Sequence, residues 1–264
     1  MSDFEQRVLR ERETYDQGLD RRLFRPFAHA AHHYRLRRRK LVEELLEGKS
    51  RLRALEIGGT LGWQFFFERQ LAQGAQVVCS NISLRELDKG LAAAGRSSNP
   101  PDFVICDAHR LPFPDASFDV VFGVAVLHHL SLHDALAEIE RVLVPGGLMF
   151  FAEPLELNPV ARVIRHLTPQ ARTEDEKPFG RGELALIGER FACSFHYEQL
   201  FSVPASLLSG LLYASPDNPV MRFAFRLDEG LKRLVPALGP YYRYVFIVGR
   251  RRPEHTVRGR PSPA

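Results

Sequence analysis

Two adjacent histidines, His128 and His129, follow the most continuous apolar stretch of the chain, 118–126. That stretch has the composition of a strand buried on both faces. Parallel sheets bind ligands beyond the carboxyl ends of their strands. A neutral imidazole there can accept a proton from a hydroxyl group near neutral pH. We therefore predict that His128 or His129 acts as a general base. The alternative is that one histidine packs structurally and the other faces solvent.

A glycine-rich loop is the second feature with chemical meaning. A short apolar strand at 52–57 ends in Glu56-Ile-Gly-Gly-Thr-Leu-Gly62, and a helical pattern follows at 63–73. Glycines let the backbone turn sharply and approach a ligand closely. Dinucleotide-binding proteins share this outline, but their spacing is G-x-G-x-x-G. Here an acid precedes the glycines and the spacing is E-x-G-x-x-x-G, so the loop predicts a nucleotide-like ligand without naming it.

Metal chemistry is not expected from the remaining histidines and cysteines. His29 and His32, like His129 and His133, have helical spacing, but the sequence suggests no third ligand for either pair. The three cysteines are far apart and form neither a disulfide framework nor a zinc pattern. They fit a reducing, cytoplasmic setting, and they are Cys79, Cys106 and Cys193.

Strands alternating with helices must position these residues. Helical patterns occupy 29–46, 63–73, 83–94 and 134–144, and the last of these is closed by Pro145-Gly-Gly147. Apolar strand patterns lie at 52–57, 76–80, 103–106, 118–126, 148–152, 191–201 and 241–248. Such alternation predicts an α/β fold with a doubly wound, mostly parallel sheet and helices on both faces. The ligand would then contact the loops that start at Gly58, Asn81, Asp107 and Leu127.

At this point the sequence resembles the class I S-adenosylmethionine-dependent methyltransferases, in particular the branch of the ubiquinone/menaquinone type. The resemblance covers residues 50–155 and is carried by five segments in the family's order. They are Leu55-Glu-Ile-Gly-Gly-Thr-Leu-Gly62, Val77-Val-Cys-Ser-Asn-Ile-Ser83, Cys106-Asp-Ala-His-Arg-Leu-Pro-Phe113, Phe118 to His129 and Arg141-Val-Leu-Val-Pro-Gly-Gly147. It implies a seven-stranded, Rossmann-like sheet and S-adenosylmethionine as the cofactor.

The resemblance also implies a role for each cofactor-binding residue. Glu56 would hold the methionine amino group, directly or through water. The loop glycines would make room for the methionine and the ribose, and these are Gly58, Gly59 and Gly62. Asn81 would meet the ribose hydroxyls, and Asp107 would accept a hydrogen bond from the adenine amino group. Ile82, Ala108 and Val124 would contact the adenine face, the adenine ring and the methionine, respectively.

Two residues depart from the family pattern. Thr60 stands where the middle glycine is usual, and Asn81 stands where an acid usually binds the ribose. An amide can still accept and donate hydrogen bonds, but it lacks the charge that strengthens them. We expect weaker cofactor binding than in the family at large. A methyltransferase fold that no longer binds the cofactor, acting as an interaction module, is an alternative.

The rest of the chain surrounds this core, which we place at 50–153. Residues 1–49 are expected to form a helical arm with Tyr15, His33 and Tyr34, and arms of this kind fold over the cofactor in related enzymes. Residues 154–250 would hold a lid insertion after the fifth strand, with helices at 159–167 and 182–189, and the remaining strands. Residues 251–264 would be a disordered tail. Glu153 is interpreted as the end of a strand rather than a pocket residue.

Charge and composition restrict the partners. The chain has 264 residues, a formal charge of +4 and no apolar run long enough to cross a bilayer. Basic residues concentrate at 21–53 and 250–252, without the interleaved aromatics of a nucleic-acid platform. We expect a small-molecule or lipid-like acceptor, methylated at oxygen, in secondary or cell-envelope metabolism, and no DNA partner. RNA methylation through the basic arm is the rival, and contact with a membrane surface and a homodimer are left open.

Overall fold

The computed structural model describes residues 3–17, 27–59, 73–95, 99–168 and 176–253. Within them the strands are β1 Arg53–Ile57, β2 Gln76–Asn81, β3 Asp102–Ile105, β4 Phe118–Val124, β5 Leu143–Pro154, β6 Phe191–Glu198 and β7 Tyr244–Arg251. The α-helices are α1 Asp3–Gln17, α2 Ala28–Leu45, α3 Leu84–Ala94, α4 Leu132–Val142, α5 Pro159–Leu167, α6 Arg181–Arg190, α7 Ser202–Leu212 and α8 Pro219–Leu234. Short 3₁₀ helices occupy Leu127–His129 and Pro236–Tyr241.

The described strands form one sheet in the order β3-β2-β1-β4-β5-β7-β6. β1 to β5 are parallel, and β7 runs antiparallel between β5 and β6. The strand order reverses between β1 and β4. Sheets of this kind bind ligands at the reversal, beyond the carboxyl ends of the strands. The predicted α/β class and seven-stranded, mostly parallel sheet are therefore confirmed.

Two apolar layers bury the sheet. On β4, Val120 and Phe122 pack into one layer with Tyr34 and Val42 of α2. Val121 alternates to the opposite layer, where it joins residues of α4 and α6. Because both faces are covered, the central strands are apolar on successive residues rather than on alternate ones. Apolar packing on both faces therefore supports the strands whose carboxyl ends form the site.

The fifth strand begins earlier than the sequence predicted. The expected turn at Pro145-Gly-Gly147 lies inside β5, because α4 ends at Val142 and the strand starts at Leu143. Leu143 pairs with Phe118, but the next pair is Leu148 with Val120, so the register shifts between them. A bulge accommodates a proline and glycines within a paired strand. The prediction that these residues end a helix and precede the strand is wrong.

The tail prediction is also wrong at its first residue. Arg251 is the last residue of β7 and pairs with Phe191, and its guanidinium donates to the carbonyl of Leu143. Arg252 follows and donates to the carbonyl of Gly188. These hydrogen bonds hold Arg251 against β5 and Arg252 against α6. Residues 254–264 lie outside the described residues, as do Thr60, Gly62 and the helix predicted after them.

Candidate functional site

A cavity of about 470 Å³ opens at the carboxyl edge of the sheet. This volume lies in the range of small-molecule sites. Most of the predicted residues line it: Gly58, Asn81, Ile82, Asp107, Ala108, Val124, His128 and His129. The lining continues onto α1 and α5. The structure thus brings the loops after β1, β2, β3 and β4 around one space, as the sheet topology predicts.

The loop after β1 is shaped by two glycines. Gly58 has φ +68°, and a Cβ there would lie 2.6 Å from Cγ2 of Val126. Gly59 covers the carboxylate of Glu56, since a Cβ on it would lie 2.5 Å from that carboxyl carbon. A side chain on Gly58 would displace Val126, and one on Gly59 would displace the buried Glu56. Glu56 itself is 3% exposed and accepts a hydrogen bond from Cys79, and it is not among the residues that line the cavity.

Asn81 fastens this loop to the next one. Its Nδ2 donates to the carbonyl of Gly59 at 3.2 Å, and its Oδ1 accepts from the backbone N–H of Ser83 at 3.0 Å. An aspartate could make the second bond but not the first, because a carboxylate does not donate. The amide therefore has a structural reason to stand where the family pattern has an acid: it joins the loops after β1 and β2.

Asp107 takes part in a short chain of hydrogen bonds with His109 and Ser131. Its Oδ1 accepts from the backbone and ring N–H groups of His109, the ring Nδ1 at 2.5 Å, while Nε2 of His109 accepts from the backbone N–H of Ser131 at 2.9 Å. Burial raises the pKa of Asp107, but the bonds from His109 outweigh burial and hold that pKa below its ordinary value. None of the described residues bonds to Oδ2, so one carboxylate oxygen remains for a ligand.

Cys106 adds a thiol to the same wall. Burial raises its pKa to about 11, so the thiol is protonated at neutral pH and is a poor nucleophile. The neighbouring Ala108, Ile82 and Val124 supply apolar surface to the cavity. This side of the site is therefore suited to hold a flat apolar group rather than to react with it.

A strained turn follows β4. Ala125 has φ +52°, a left-handed conformation that costs of order 1–3 kcal/mol in a non-glycine residue. The carboxylate of Glu153 stabilises the turn, because its Oε1 accepts from the backbone N–H groups of Val126 and Leu127 at 3.1 and 2.9 Å. Glu153 is fully buried at the end of β5. The interpretation of Glu153 as a mere strand end misses this function.

The same carboxylate orients His128. Oε2 of Glu153 lies 2.7 Å from Nδ1 of His128. The hydrogen bond places the proton on Nδ1 and leaves the lone pair on Nε2. His128 is only 5% exposed yet lines the cavity, and within the described part of the chain its Nε2 makes no hydrogen bond. The arrangement is a carboxylate–imidazole pair, which can hold a base in one tautomer and orientation.

His129 contacts the N-terminal helix α1 through three of its residues. Tyr15 Oη lies 3.1 Å from Nε2 of His129, Glu11 Oε1 lies 3.4 Å from Nδ1, and Arg7 donates to the His129 carbonyl at 3.0 Å. These residues are four apart, so they share one face of α1. One residue beyond Tyr15, Asp16 accepts from the hydroxyl of Ser83. The helix therefore lies along the cavity, with Val8 also in its lining.

Fewer of the singled-out residues of the N-terminal arm line the cavity than the sequence predicted. Of the three aromatic residues that the sequence singled out, Tyr15 lines the cavity. Tyr34 packs instead against Tyr244 and Phe246 in the core, and His33 packs against Phe225. Neither is among the lining residues. The spacing Arg7-x₃-Glu11-x₃-Tyr15 is a polar stripe that could have identified the docking face of α1.

Three side chains at the mouth could share a metal ion. Ligand atoms of His128, His129 and Glu176 lie within 4.8 Å of one another. The sequence named no third ligand because Glu176 is 47 positions beyond His129 and reaches it only through the fold. His133, by contrast, contacts Arg190, and His29 contacts Ser209. Nε2 of His128 can bind a metal or accept a proton, but its one lone pair cannot do both.

The insertion after β5 covers the opposite side of the cavity. Asn158 begins α5 by accepting from the backbone N–H of Ala161, and its Nδ2 donates to the carbonyl of Tyr241. The inner face of the helix presents Ala161 and Ile164 to the cavity. The predicted helix bounds of 159–167 agree with those of α5. Movement of this segment as a lid stays a prediction.

Sheet order, glycine loop and the carboxylate after β3 agree with the Rossmann-like methyltransferase fold that the sequence resemblance implies. Residues 55–151 match the family model described as a methyltransferase domain. The match runs from β1 to β5, and this segment is therefore similar to a methyltransferase domain.

Relatives and solved structures agree with this assignment. The chain is 36% identical over 127 residues to a ubiquinone/menaquinone biosynthesis C-methyltransferase of Stutzerimonas stutzeri, covering 44% of this chain and 46% of that protein. It is 43% identical over 77 residues to phthiotriol/phenolphthiotriol dimycocerosates methyltransferase 1 of Mycobacterium ulcerans, covering 27% and 28%. The matches thus span less than half the length of these relatives.

The fold likeness extends beyond the matched core. Geranyl diphosphate C-methyltransferase from Streptomyces coelicolor A3(2), solved with Mg²⁺, geranyl diphosphate and S-adenosyl-L-homocysteine, superposes with a TM-score of 0.59. It is 15% identical, and the alignment covers 83% of this chain and 80% of that one. The comparison supports the shared fold alone.

Proposed function

We propose that the protein transfers a methyl group from S-adenosylmethionine to a hydroxyl oxygen of a small-molecule or lipid-like acceptor, with His128 as general base. The pair of Glu153 and His128 carries this proposal. The relatives make methyl transfer the reaction class, and the pair gives the cavity a base aimed at an acceptor proton. Secondary or cell-envelope metabolism is the setting we propose, and the three free thiols fit the cytoplasm.

The cavity fits S-adenosylmethionine in its described part. Gly58 lines the cavity without a side chain, so a ligand can approach its backbone closely, and Asp107 has an unbonded oxygen beside the apolar surface of Ile82. We propose that Asp107 binds the adenine amino group and that the loop from Glu56 to Gly59 holds the methionine end. When bound, the cofactor supplies a methyl group on a positively charged sulfur, which makes that carbon electrophilic.

The chain's own contribution is to position and deprotonate the acceptor. Nε2 of His128 takes the hydroxyl proton as the oxygen attacks, and Glu153 stabilises the resulting imidazolium through Nδ1. Both residues are buried, which keeps the hydrogen bond between them out of solvent. General base catalysis of this kind contributes about 10²–10⁴-fold to the rate.

Carbon is the second candidate for the methylated atom. The Stutzerimonas stutzeri relative and the Streptomyces coelicolor structure are both named C-methyltransferases. The same base could remove a proton from a phenol or an enol, after which carbon attacks. Nuclear magnetic resonance of the purified product separates the two, since a methyl ether and a carbon-bound methyl group have different proton and carbon shifts.

Titration calorimetry with S-adenosylmethionine tests the proposal at its first step. Binding is expected at millimolar cofactor or below, with a rise in unfolding temperature by mass action. An absence of both heat and thermal shift would instead favour the interaction module without activity.

RNA as the acceptor receives little support from the basic helix α2. Arg37 pairs with Glu198 and Glu229, and Arg39 pairs with Glu43. Arg38 is buried against the ring of Tyr34. Cations engaged in this way are poorly placed to contact phosphates. Competition by RNA in a filter-binding assay, with a steep salt dependence, would reverse this judgement.

The surface of α7 favours a lipid-like acceptor. Its serines face inward: Ser206 accepts from the backbone of Ala30, and Ser209 contacts His29. Its leucines face outward with large exposed fractions, namely Leu207 41%, Leu208 51%, Leu211 84% and Leu212 61%. On the adjoining α8, Phe223 is 68% exposed between the exposed Arg222 and Arg226. An apolar surface with basic margins is typical of a helix that lies on an anionic membrane.

We therefore predict that the protein sediments with vesicles of phosphatidylglycerol and phosphatidylcholine and less with phosphatidylcholine alone. Replacing Leu208 and Leu211 together by glutamine should reduce vesicle binding by about 100-fold or more, because each buried leucine contributes roughly 1.5–3 kcal/mol. Leu91→Gln is the control, since Leu91 is 50% exposed on α3. Equal binding by all three proteins would exclude this surface. Within the described residues no helix combines the length and hydropathy needed to span a bilayer.

A further inference from the structure

Three arginines line the cavity, and they differ in what their guanidinium groups contact. Arg7 donates to the carbonyl of His129 and Arg165 to the carbonyl of Glu156, at 3.0 and 2.7 Å. Arg243 contacts aromatic rings instead, with its guanidinium carbon 5.4 Å from the ring centre of Phe27 and 5.1 Å from that of Tyr244. Among the described residues, no carbonyl or carboxylate accepts a hydrogen bond from the Arg243 side chain.

The position of Arg243 is fixed by its surroundings. Its backbone N–H donates to the carbonyl of Gln199 at 2.9 Å, and its own carbonyl accepts from Leu155 at 2.8 Å. Phe27 is only 6% exposed, so one of the two rings is itself held in the core. Ring contacts occupy the faces of a guanidinium and leave the N–H groups at its edge available. A planar, pre-oriented set of donors matches a carboxylate or a phosphate in two-point contact.

The acidic residues of the cavity do not neutralise this charge. Asp107 is bonded to His109, Glu11 contacts His129, and Glu86 pairs with Lys89. Glu176 lies 3.9 Å from Nε2 of His128. A cation in a largely apolar cavity is costly without an anion, so a bound anion would be stabilised there.

We propose that Arg243 binds an anionic group of the acceptor, a carboxylate or a phosphate. This inference rests on the proposed function and narrows it, since the acceptor then carries an anion as well as the hydroxyl that is methylated. The topology supports the pairing of the two sites. Tyr244 pairs with Pro154, so Arg243 and Glu153, the carboxylate that orients the base, lie at the ends of neighbouring strands.

Binding of small aromatic probes tests the site directly. The protein saturated with S-adenosylhomocysteine is titrated with benzoate, with phenyl phosphate and with benzyl alcohol as the uncharged control. Both anions should bind more tightly than the alcohol, and the tighter of the two identifies the chemistry of the group. Arg243→Gln should weaken anion binding by about 10–150-fold, because hydrogen bonds to charged groups contribute roughly 1.5–3 kcal/mol. Arg243→Lys should recover part of the loss, since lysine keeps the charge without the planar donors.

The controls separate this site from the rest of the molecule. Arg222→Gln removes an exposed arginine that pairs with Asp217, and it should bind the probes like the unaltered protein. Calorimetry with S-adenosylmethionine and the unfolding temperature should be unchanged in the Arg243 variants. Anions that bind no better than benzyl alcohol, or equally well to Arg243→Gln, would overturn the anion site. A protein that binds the anions but not S-adenosylmethionine would retain the site and lose the methyltransferase proposal.

Discussion

His128→Gln is expected to lower kcat by about 10²–10⁴-fold while leaving the affinity for S-adenosylmethionine unchanged. Glutamine has a similar reach but cannot accept and hold a proton at neutral pH. The pair with Glu153 is buried, so water cannot easily replace the imidazole as base. Single-turnover rates of methyl transfer, measured with saturating cofactor and acceptor, isolate the chemical step from binding. The deficit should shrink as the pH rises, because the acceptor hydroxyl then loses its proton to solvent.

His129→Gln is the matched control, since His129 is adjacent and lines the same cavity but is engaged by Tyr15 and Glu11 of α1. Its kcat should change far less than that of His128→Gln, with any effect appearing in KM as α1 loosens. Unchanged rates in both variants would remove the base from the mechanism. If chelation with EDTA abolished activity and a divalent ion restored it, His128 would be a metal ligand together with His129 and Glu176 instead.

The fold was predictable because its signals are local. Apolar strands buried on both faces alternate with helices of suitable length, and that alternation admits few topologies. The cavity followed from the sheet, since loops after successive parallel strands meet at one edge. The bounds of β5 were not predictable in the same way. Pro145 and Gly146 are typical turn residues, and only pairing with Phe118 and the register shift show that the strand already includes them.

The pairing of His128 with Glu153 can be recognised only in the folded structure. His128 and Glu153 are separated by 25 positions and meet because β4 and β5 are neighbours. A glutamate before a proline at a strand end has no local pattern that distinguishes a buried acceptor from an exposed one. The contacts of His129 with Tyr15 and Glu11 are more remote still. Long-range side-chain pairs of this kind depend on packing, which a single sequence does not report.

Of the two residues that depart from the family pattern, Thr60 and Asn81, the structure describes only Asn81. Asn81 connects the loops after β1 and β2 through Gly59 and Ser83, so its amide has a structural function that an acid could fulfil only in part. We propose that Asp107 contributes the carboxylate for the cofactor, since none of the described residues bonds to its Oδ2. Cofactor affinity should therefore depend on Asp107 more strongly than on Asn81.

Asp107→Ala is expected to weaken S-adenosylmethionine binding by about 10–150-fold, which corresponds to the roughly 1.5–3 kcal/mol of a hydrogen bond to a charged group. Because the pKa of Asp107 is lowered, its carboxylate stays ionised below the ordinary range near 4. Its bonds with His109 thus stabilise the fold above that range and are lost as the pH falls through the lowered value. Cofactor affinity should share this dependence, and calorimetry at several pH values measures it.

Two further variants decide whether Asp107 acts on the cofactor or only on the fold. Asp115→Ala removes an aspartate that pairs with Arg141 and is 79% exposed, so it should bind the cofactor normally. His109→Gln keeps the carboxylate but releases it from the link to Ser131, and it should weaken binding less than Asp107→Ala does. If Asp107→Ala bound the cofactor normally, adenine would lie elsewhere. If it bound weakly but its unfolding temperature fell as well, the His109→Gln variant would show how much of the lost affinity comes from the hydrogen bonds that link Asp107, His109 and Ser131. An affinity that falls in the order Asp115→Ala, His109→Gln, Asp107→Ala is the result that places the adenine at this carboxylate, because His109→Gln also removes the bond to His109 but keeps the carboxylate.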